Sequence, residues 1–116
     1  MAIPKFKIKH IGINTNSEQE AKELAAILCS FLDLTLCNET NSHIFAGDLF
    51  EIMKNENIGT KGHIALQTED VENAICYFAE KNIRIKEDTI RYDSNRKVIF
   101  AYLDCEFGGF AFHLTT

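Results

Sequence analysis

Apolar residues recur along the chain at two different spacings, and the two kinds of stretch alternate. Ala21, Leu24, Ala25, Leu28 and Phe31 follow the i, i+3, i+4, i+7 pattern of a helix with one buried stripe. Val71, Ala74, Ile75 and Phe78 repeat that pattern. Ser17, with Glu20 three residues on, is placed to cap the first helix as a capping box, and Asp70 to cap the second. After each helix the chain becomes β-prone: Leu34 to Leu36, His43 to Ala46 and Phe50 to Lys54, then Arg84 to Lys86, Lys97 to Leu103 and Phe110 to Leu114. Gly47-Asp48 and Gly108-Gly109 supply the turns before the last strand of each set.

Before each helix stands a related hexapeptide. Residues 10 to 15 read H-I-G-I-N-T and residues 63 to 68 read H-I-A-L-Q-T, an offset of 53. The last strands echo one another too, as Phe50-Glu51-Ile52 and Phe112-His113-Leu114. A self-similarity of this kind signals one folded unit written twice. Residues 1–116 therefore form a single domain of two strand-helix-three-strand units, 5–54 and 61–116, joined through the polar stretch N-E-N-I-G-T-K-G at 55–62. A unit of about 50 residues buries too little surface to be stable alone, so the two must pack together or onto a second copy.

Composition narrows the function mainly by exclusion. Hydrophobic content of 46% and charged content of 25% are those of an ordinary globular chain. A net charge of −5 with interspersed signs offers no basic face for nucleic acid and no polybasic patch for a membrane. No apolar run approaches the length of a membrane span, and the basic N-terminus lacks the apolar core of a signal peptide, so a cytoplasmic protein is expected. Cys29, Cys37, Cys76 and Cys105 form no C-x-x-C pair and are expected as reduced, packed thiols.

The repeat then singles out chemistry. Of four histidines, three fall at repeat-equivalent places: His10 and His63 open the two units, and His113 closes the second where Glu51 closes the first. Side chains alternate along a strand, so Glu51 between Phe50 and Ile52, and His113 between Phe112 and Leu114, point away from the helix-covered core. Imidazole and carboxylate are standard ligands of divalent first-row metals. One metal ion held by His10, Glu51, His63 and His113 is therefore expected. His43 has no counterpart in the second unit and reads as a surface or rim residue.

The repeat and these residues resemble the vicinal oxygen chelate superfamily, which includes glyoxalase I, bleomycin-resistance proteins, extradiol dioxygenases and methylmalonyl-CoA epimerase. The resemblance runs from Lys7 to Leu114 and is strongest in G-H-I-A-L at 62–66 and G-G-F-A-F-H-L at 108–114. It implies an α+β fold of two βαβββ modules in a cup-shaped mixed sheet, with His10, Glu51, His63 and His113 as the ligands of one Zn, Ni, Co, Mn or Fe ion. It also implies a homodimer, in which such sites commonly draw ligands from both chains. Two departures bear on substrate. His113 stands where glyoxalases carry a carboxylate, and Asn14 where glutathione-using members carry an arginine, which argues against glutathione.

One carboxylate and three neutral imidazoles leave a divalent ion with excess positive charge, which favours an anionic ligand and lowers the pKa of a bound water. The expectation is a metal-dependent glyoxalase-like lyase, isomerase or epimerase acting on a small, oxygen-rich anion. Glu51 is the candidate catalytic base as well as a ligand. The alternatives are a metal-free binding protein of the bleomycin-resistance type and, below it, an extradiol-type dioxygenase. Lys61, Arg84, Arg91 and Arg96 are candidates for holding a distal anionic group, and Phe45, Met53, Tyr102 and Phe110 for an apolar wall.

Overall fold

The two capping signals start helices where the patterning puts them. Ser17 Oγ accepts from the Glu20 amide at 3.1 Å, and Asp70 Oδ1 from the Asn73 amide at 3.0 Å. The computed structural model describes residues 3–116. The first half is β1 (Lys7–Asn14), α1 (Glu18–Leu32), β2 (Leu36–Cys37), β3 (His43–Ala46) and β4 (Phe50–Met53). The second is β5 (Gly62–Gln67), α2 (Val71–Glu80), β6 (Ile85–Tyr92), β7 (Val98–Phe107) and β8 (Phe110–Thr115). All eight strands join one mixed sheet in the order β2-β3-β4-β1-β5-β8-β7-β6. In each half the first and last strands pair in parallel, and β1 and β5 pair antiparallel at the centre. The order is thus the same read inward from either edge, which is the twofold relation the repeat implied. The α+β class with a mixed sheet is as expected.

Each helix covers its own half. Ala21 and Ala25 of α1 bury against Ile44 and Ile52 with Phe50, Leu24 and Leu28 around them. Val71 and Ala74 of α2 bury against Val98, Leu103 and Leu114. The shared threonine also has a shared task. The Thr15 amide donates to Met53 O at 3.1 Å and the Thr68 amide to Thr115 O at 2.9 Å, so each ties the end of a central strand to the end of its parallel neighbour. No helix among the described residues is long and apolar enough to cross a membrane.

Three expectations differ in detail. Phe31 does not join the core but is 81% exposed. The 15-residue helix is about 22 Å long, whereas the four-residue strands beneath it span about 13 Å, so its last turn overhangs the sheet. β2 is Leu36–Cys37 and not Leu34 to Leu36. β6 and β7 are longer than the segments expected, because Glu87, Asp88, Asp104 and Glu106 are exposed and carry no burial signal; pairing between the strands extends them instead.

Candidate metal centre

Strand register explains how distant residues meet on the sheet face opposite the helices. Across the centre, Glu51 of β4 lies opposite Gly12 of β1, and Gly12 opposite His63 of β5. One row along, His10 lies opposite Ala65, Ala65 opposite His113, and His113 opposite Tyr102. Directly paired residues share a face, so Glu51, His63, His10, His113 and Tyr102 all emerge on the same side. The repeat is what interleaves them. In His10-Ile11-Gly12 and His63-Ile64-Ala65, each histidine is paired with the small residue of the other unit.

The side chains converge. A nitrogen from each of His10, His63 and His113 lies within 4.8 Å of the other two. His10 Nε2 and His63 Nε2 are 3.3 Å apart. Glu51 Oε1 lies 2.9 Å from His63 Nε2 and 3.5 Å from His10 Nε2. Glu51 thus lies within 3.5 Å of two of the three histidines, with the carboxylate on the β4 side of the triad. All four groups converge within one chain.

Two features hold the rings. The His63 ring lies directly over Gly12: a Cβ there would stand 2.0 Å from His63 Cε1 and 2.2 Å from Nδ1. Glycine at 12 is thus the space His63 occupies, which is why the otherwise similar repeat has Gly12 where Ala65 stands in the other unit. On the β7 side, the Phe100 ring packs 4.5 Å from the His113 ring at 30°, and Tyr102 lies 5.0 Å from it.

The fourth histidine is not a peripheral surface group. His43 Nδ1 lies 3.1 Å from Glu51 Oε2, with its side chain 21% exposed. A signal for it exists in the sequence: alternation along His43-Ile44-Phe45-Ala46 sends His43 and Phe45 to one face, and the tight turn at Gly47-Asp48 sets β3 against β4. The observed register puts His43 opposite Met53 and Phe45 opposite Glu51.

Electrostatics favour ligating protonation states. Burial pushes the His113 imidazole down to about 3, helped by the nearby His63 and His10. Burial also lowers His10, outweighing the pull of Glu51. Burial alone would raise Glu51, but the hydrogen bond from His63 and the charges of the surrounding histidines hold it below the usual carboxylate range. At neutral pH, His10 and His113 are therefore neutral with a free lone pair, and Glu51 is an anion. Donors about 2.1 Å from one ion stand roughly 3 to 4.2 Å apart. The spacings here lie in or close to that range, so the donor set fits a divalent ion.

The cluster forms the floor of a cavity of about 570 Å³ lined also by Lys9, Met53, Asp88, Arg91, Phe100 and Tyr102. Of the four candidate cations only Arg91 lines it, its guanidinium 5.1 Å over the Phe100 ring. Lys61 instead lies along Gly109, and neither Arg84 nor Arg96 lines the cavity. Met53 and Tyr102 form part of its wall; Phe45 packs against the His10 and His43 rings, and Phe110 is not part of the lining. Asn14 donates to Gly59 O at 2.9 Å and so pins the connection between the units. The four thiols are unpaired, and Cys76 is exposed rather than packed.

No protein-family model matches the chain, and no curated protein matches it by sequence. Solved structures do match in shape. A hypothetical protein from Bacillus halodurans C-125 has a TM-score of 0.63 at 17% identity, over 96% of this chain and 94% of that one. Methylmalonyl-CoA epimerase from Streptomyces coelicolor, in complex with 2-nitronate-propionyl-CoA, has a TM-score of 0.61 at 18% identity, over 95% and 96%. The Mycobacterium tuberculosis methylmalonyl-CoA epimerase has a TM-score of 0.57 at 14% identity, over 93% and 85%. At these identities the likeness establishes the fold.

Proposed function

We propose that this chain, which has the glyoxalase-like fold of the vicinal oxygen chelate superfamily, is a metal-dependent enzyme of isomerase or epimerase type acting on a small, oxygen-rich anion. The observation that carries the reading is the convergence of His10, His63, His113 and Glu51 at the floor of one cavity. These four hold one Zn, Ni, Co, Mn or Fe ion. An ion there supplies Lewis-acid polarisation of a carbonyl and a point of chelation for two vicinal oxygens. The epimerase side of the reading is supported by structural neighbours that are methylmalonyl-CoA epimerases, one of them in complex with methylmalonyl-CoA.

The chain's own residues then have separable tasks. Three imidazoles and one carboxylate leave net positive charge at the cavity floor, which selects for an anion. Arg91 and Lys9 add positive charge on the cavity wall, against Asp88. Burial, together with the Glu51 charge, pushes the Tyr102 phenol up to about 12, so it stays protonated and presents a hydrogen-bond donor beside His113. Glu51 is the fourth ligand and the carboxylate nearest the cluster. As the base it takes a proton from a substrate carbon next to the polarised carbonyl. A Glu51→Gln variant that retains its ion but loses turnover assigns it that step.

The homodimer belongs to the same reading. Ile27 and Phe31 on α1 and Leu36 on β2 leave apolar side chains exposed, and sedimentation at micromolar concentration reads the outcome. The activity is tested by incubating metal-loaded protein with small hydroxy-acids, keto-acids and acyl thioesters in heavy water. The expected result is metal-dependent exchange of one carbon-bound hydrogen, seen by NMR and lost in His63→Ala. Tight binding of a small molecule that survives a His63→Ala, His113→Ala pair, with no exchange, points to the metal-free sequestering protein instead.

A further inference from the structure

We infer that His43 is a positioning residue of this site, fixing which oxygen of Glu51 faces the histidine triad. The inference rests on the metal reading above. The two oxygens of Glu51 are segregated: Oε1 is near His63 and His10, while Oε2 lies 3.1 Å from His43 Nδ1. With Oε2 beside His43, the carboxylate cannot turn its plane without giving up that contact. Glu51 is thereby held with a single oxygen toward the cluster.

His43 is itself restrained from two sides. Phe45 stands edge-on to the His43 ring at 5.3 Å and to the His10 ring at 5.8 Å, filling the space between them. The His43 backbone is clamped by Thr40, whose amide donates to His43 O at 2.8 Å and whose Oγ1 accepts from His43 N at 3.2 Å. Thr40 is held in turn by the Lys54 amine, which is shielded from solvent and donates to Thr40 O at 2.7 Å and to Glu39 at 2.7 Å. A continuous chain of contacts thus runs from Lys54 through Thr40 and His43 to the carboxylate. The second unit has no equivalent. The Nδ1 atoms of His63 and His113 are buried without a hydrogen-bond partner among the described residues. On the first unit's side, His43 is thus the residue that stands against the outward oxygen of the carboxylate. Partners of this kind set the orientation and basicity of a ligand.

The test is cobalt binding to the full chain, followed by titration and by the visible absorption spectrum, in wild type, His43→Ala and His43→Asn. Asparagine keeps a donor near the position of Nδ1. The expected result is a loss of cobalt affinity of about 10- to 100-fold and an altered spectrum in His43→Ala, most of it recovered in His43→Asn. The metal-free unfolding midpoints of the two variants should match, separating positioning from general stability. Wild-type affinity and spectrum in His43→Ala overturn the inference alone, as does a His43→Asn variant no better than His43→Ala. A wild-type protein that takes up no cobalt overturns the metal reading and this inference with it.

Discussion

Replacing Gly12 with alanine adds one methyl group and no charge, yet it strikes the site at its centre. The new Cβ would lie 2.0 Å from His63 Cε1, 2.2 Å from Nδ1 and 2.6 Å from Nε2. Carbon atoms in contact settle at about 3.5 Å, so the ring must retreat by more than about 1 Å. His63 is only 4% exposed, which leaves it little room to do so. Catalytic and ligand groups tolerate displacements of about 0.5 Å, so the shift breaks both the 2.9 Å contact with Glu51 and the approach to His10. Two terms compete in stability. Overpacking costs about 1–3 kcal/mol, while the reduced freedom of the unfolded chain returns about 0.4–1 kcal/mol, because Gly12 has no positive φ for alanine to strain. The balance is a loss of roughly 1–2 kcal/mol in chemical denaturation of the metal-free protein. Metal affinity should fall by at least about tenfold, since disturbing an outer partner alone costs that much. Calorimetric titration with zinc or cobalt measures it. Gly12→Ala with unchanged stability and unchanged affinity would refute the placement of His63 over the backbone.

Other outcomes follow from the same geometry. The His113 imidazole has its ordinary value of 6.5 when unfolded and about 3 when folded. Between those values the unfolded chain binds the extra proton, so this group costs the metal-free protein nothing above pH 6.5 and destabilises it as pH falls toward 3. His113→Gln should flatten that part of the stability profile, and a variant profile parallel to the wild type would contradict it. Lys54→Met removes the donor that holds Thr40, so the His43 amide should exchange faster in hydrogen-exchange NMR; unchanged exchange would sever the proposed link. Arg91→Ala should raise KM for an anionic substrate roughly tenfold with kcat retained, the worth of a partly solvated charge-assisted hydrogen bond. An equal effect on a neutral analogue would remove Arg91 from anion recognition.

The sheet and its two helices were legible because their signals are local and repeated. Ser17 and Asp70 are caps within one turn of their partners, and the H-I-G and H-I-A blocks advertise the central strand pair. That pairing is also why the four candidate ligands could be named from the sequence, since repeat-equivalent strands carry repeat-equivalent faces. What stayed hidden is what only register decides. The swap that sets His63 over Gly12 requires knowing that β1 and β5 run antiparallel with those two residues opposed. His43 lacked a counterpart and so carried no repeat signal, although its contact with Glu51 comes directly from the β3–β4 turn. Phe31 fits a helical stripe in sequence and is exposed because the helix outruns the strands below it. The extended ends of β6 and β7 carry exposed Glu87, Asp88, Asp104 and Glu106 among a few core-facing residues such as Ile90 and Cys105, so hydrophobic periodicity reported them weakly.

The central claim is that one divalent ion is held by three imidazoles and one carboxylate. X-ray absorption at the metal edge of zinc- or cobalt-loaded protein tests it most directly. The account predicts one bound equivalent, with the multiple-scattering signature of three imidazoles at about 2.0–2.1 Å and an oxygen shell alongside. One imidazole should disappear in His63→Ala. A spectrum of oxygen ligands alone, or one unchanged in that variant, would contradict it.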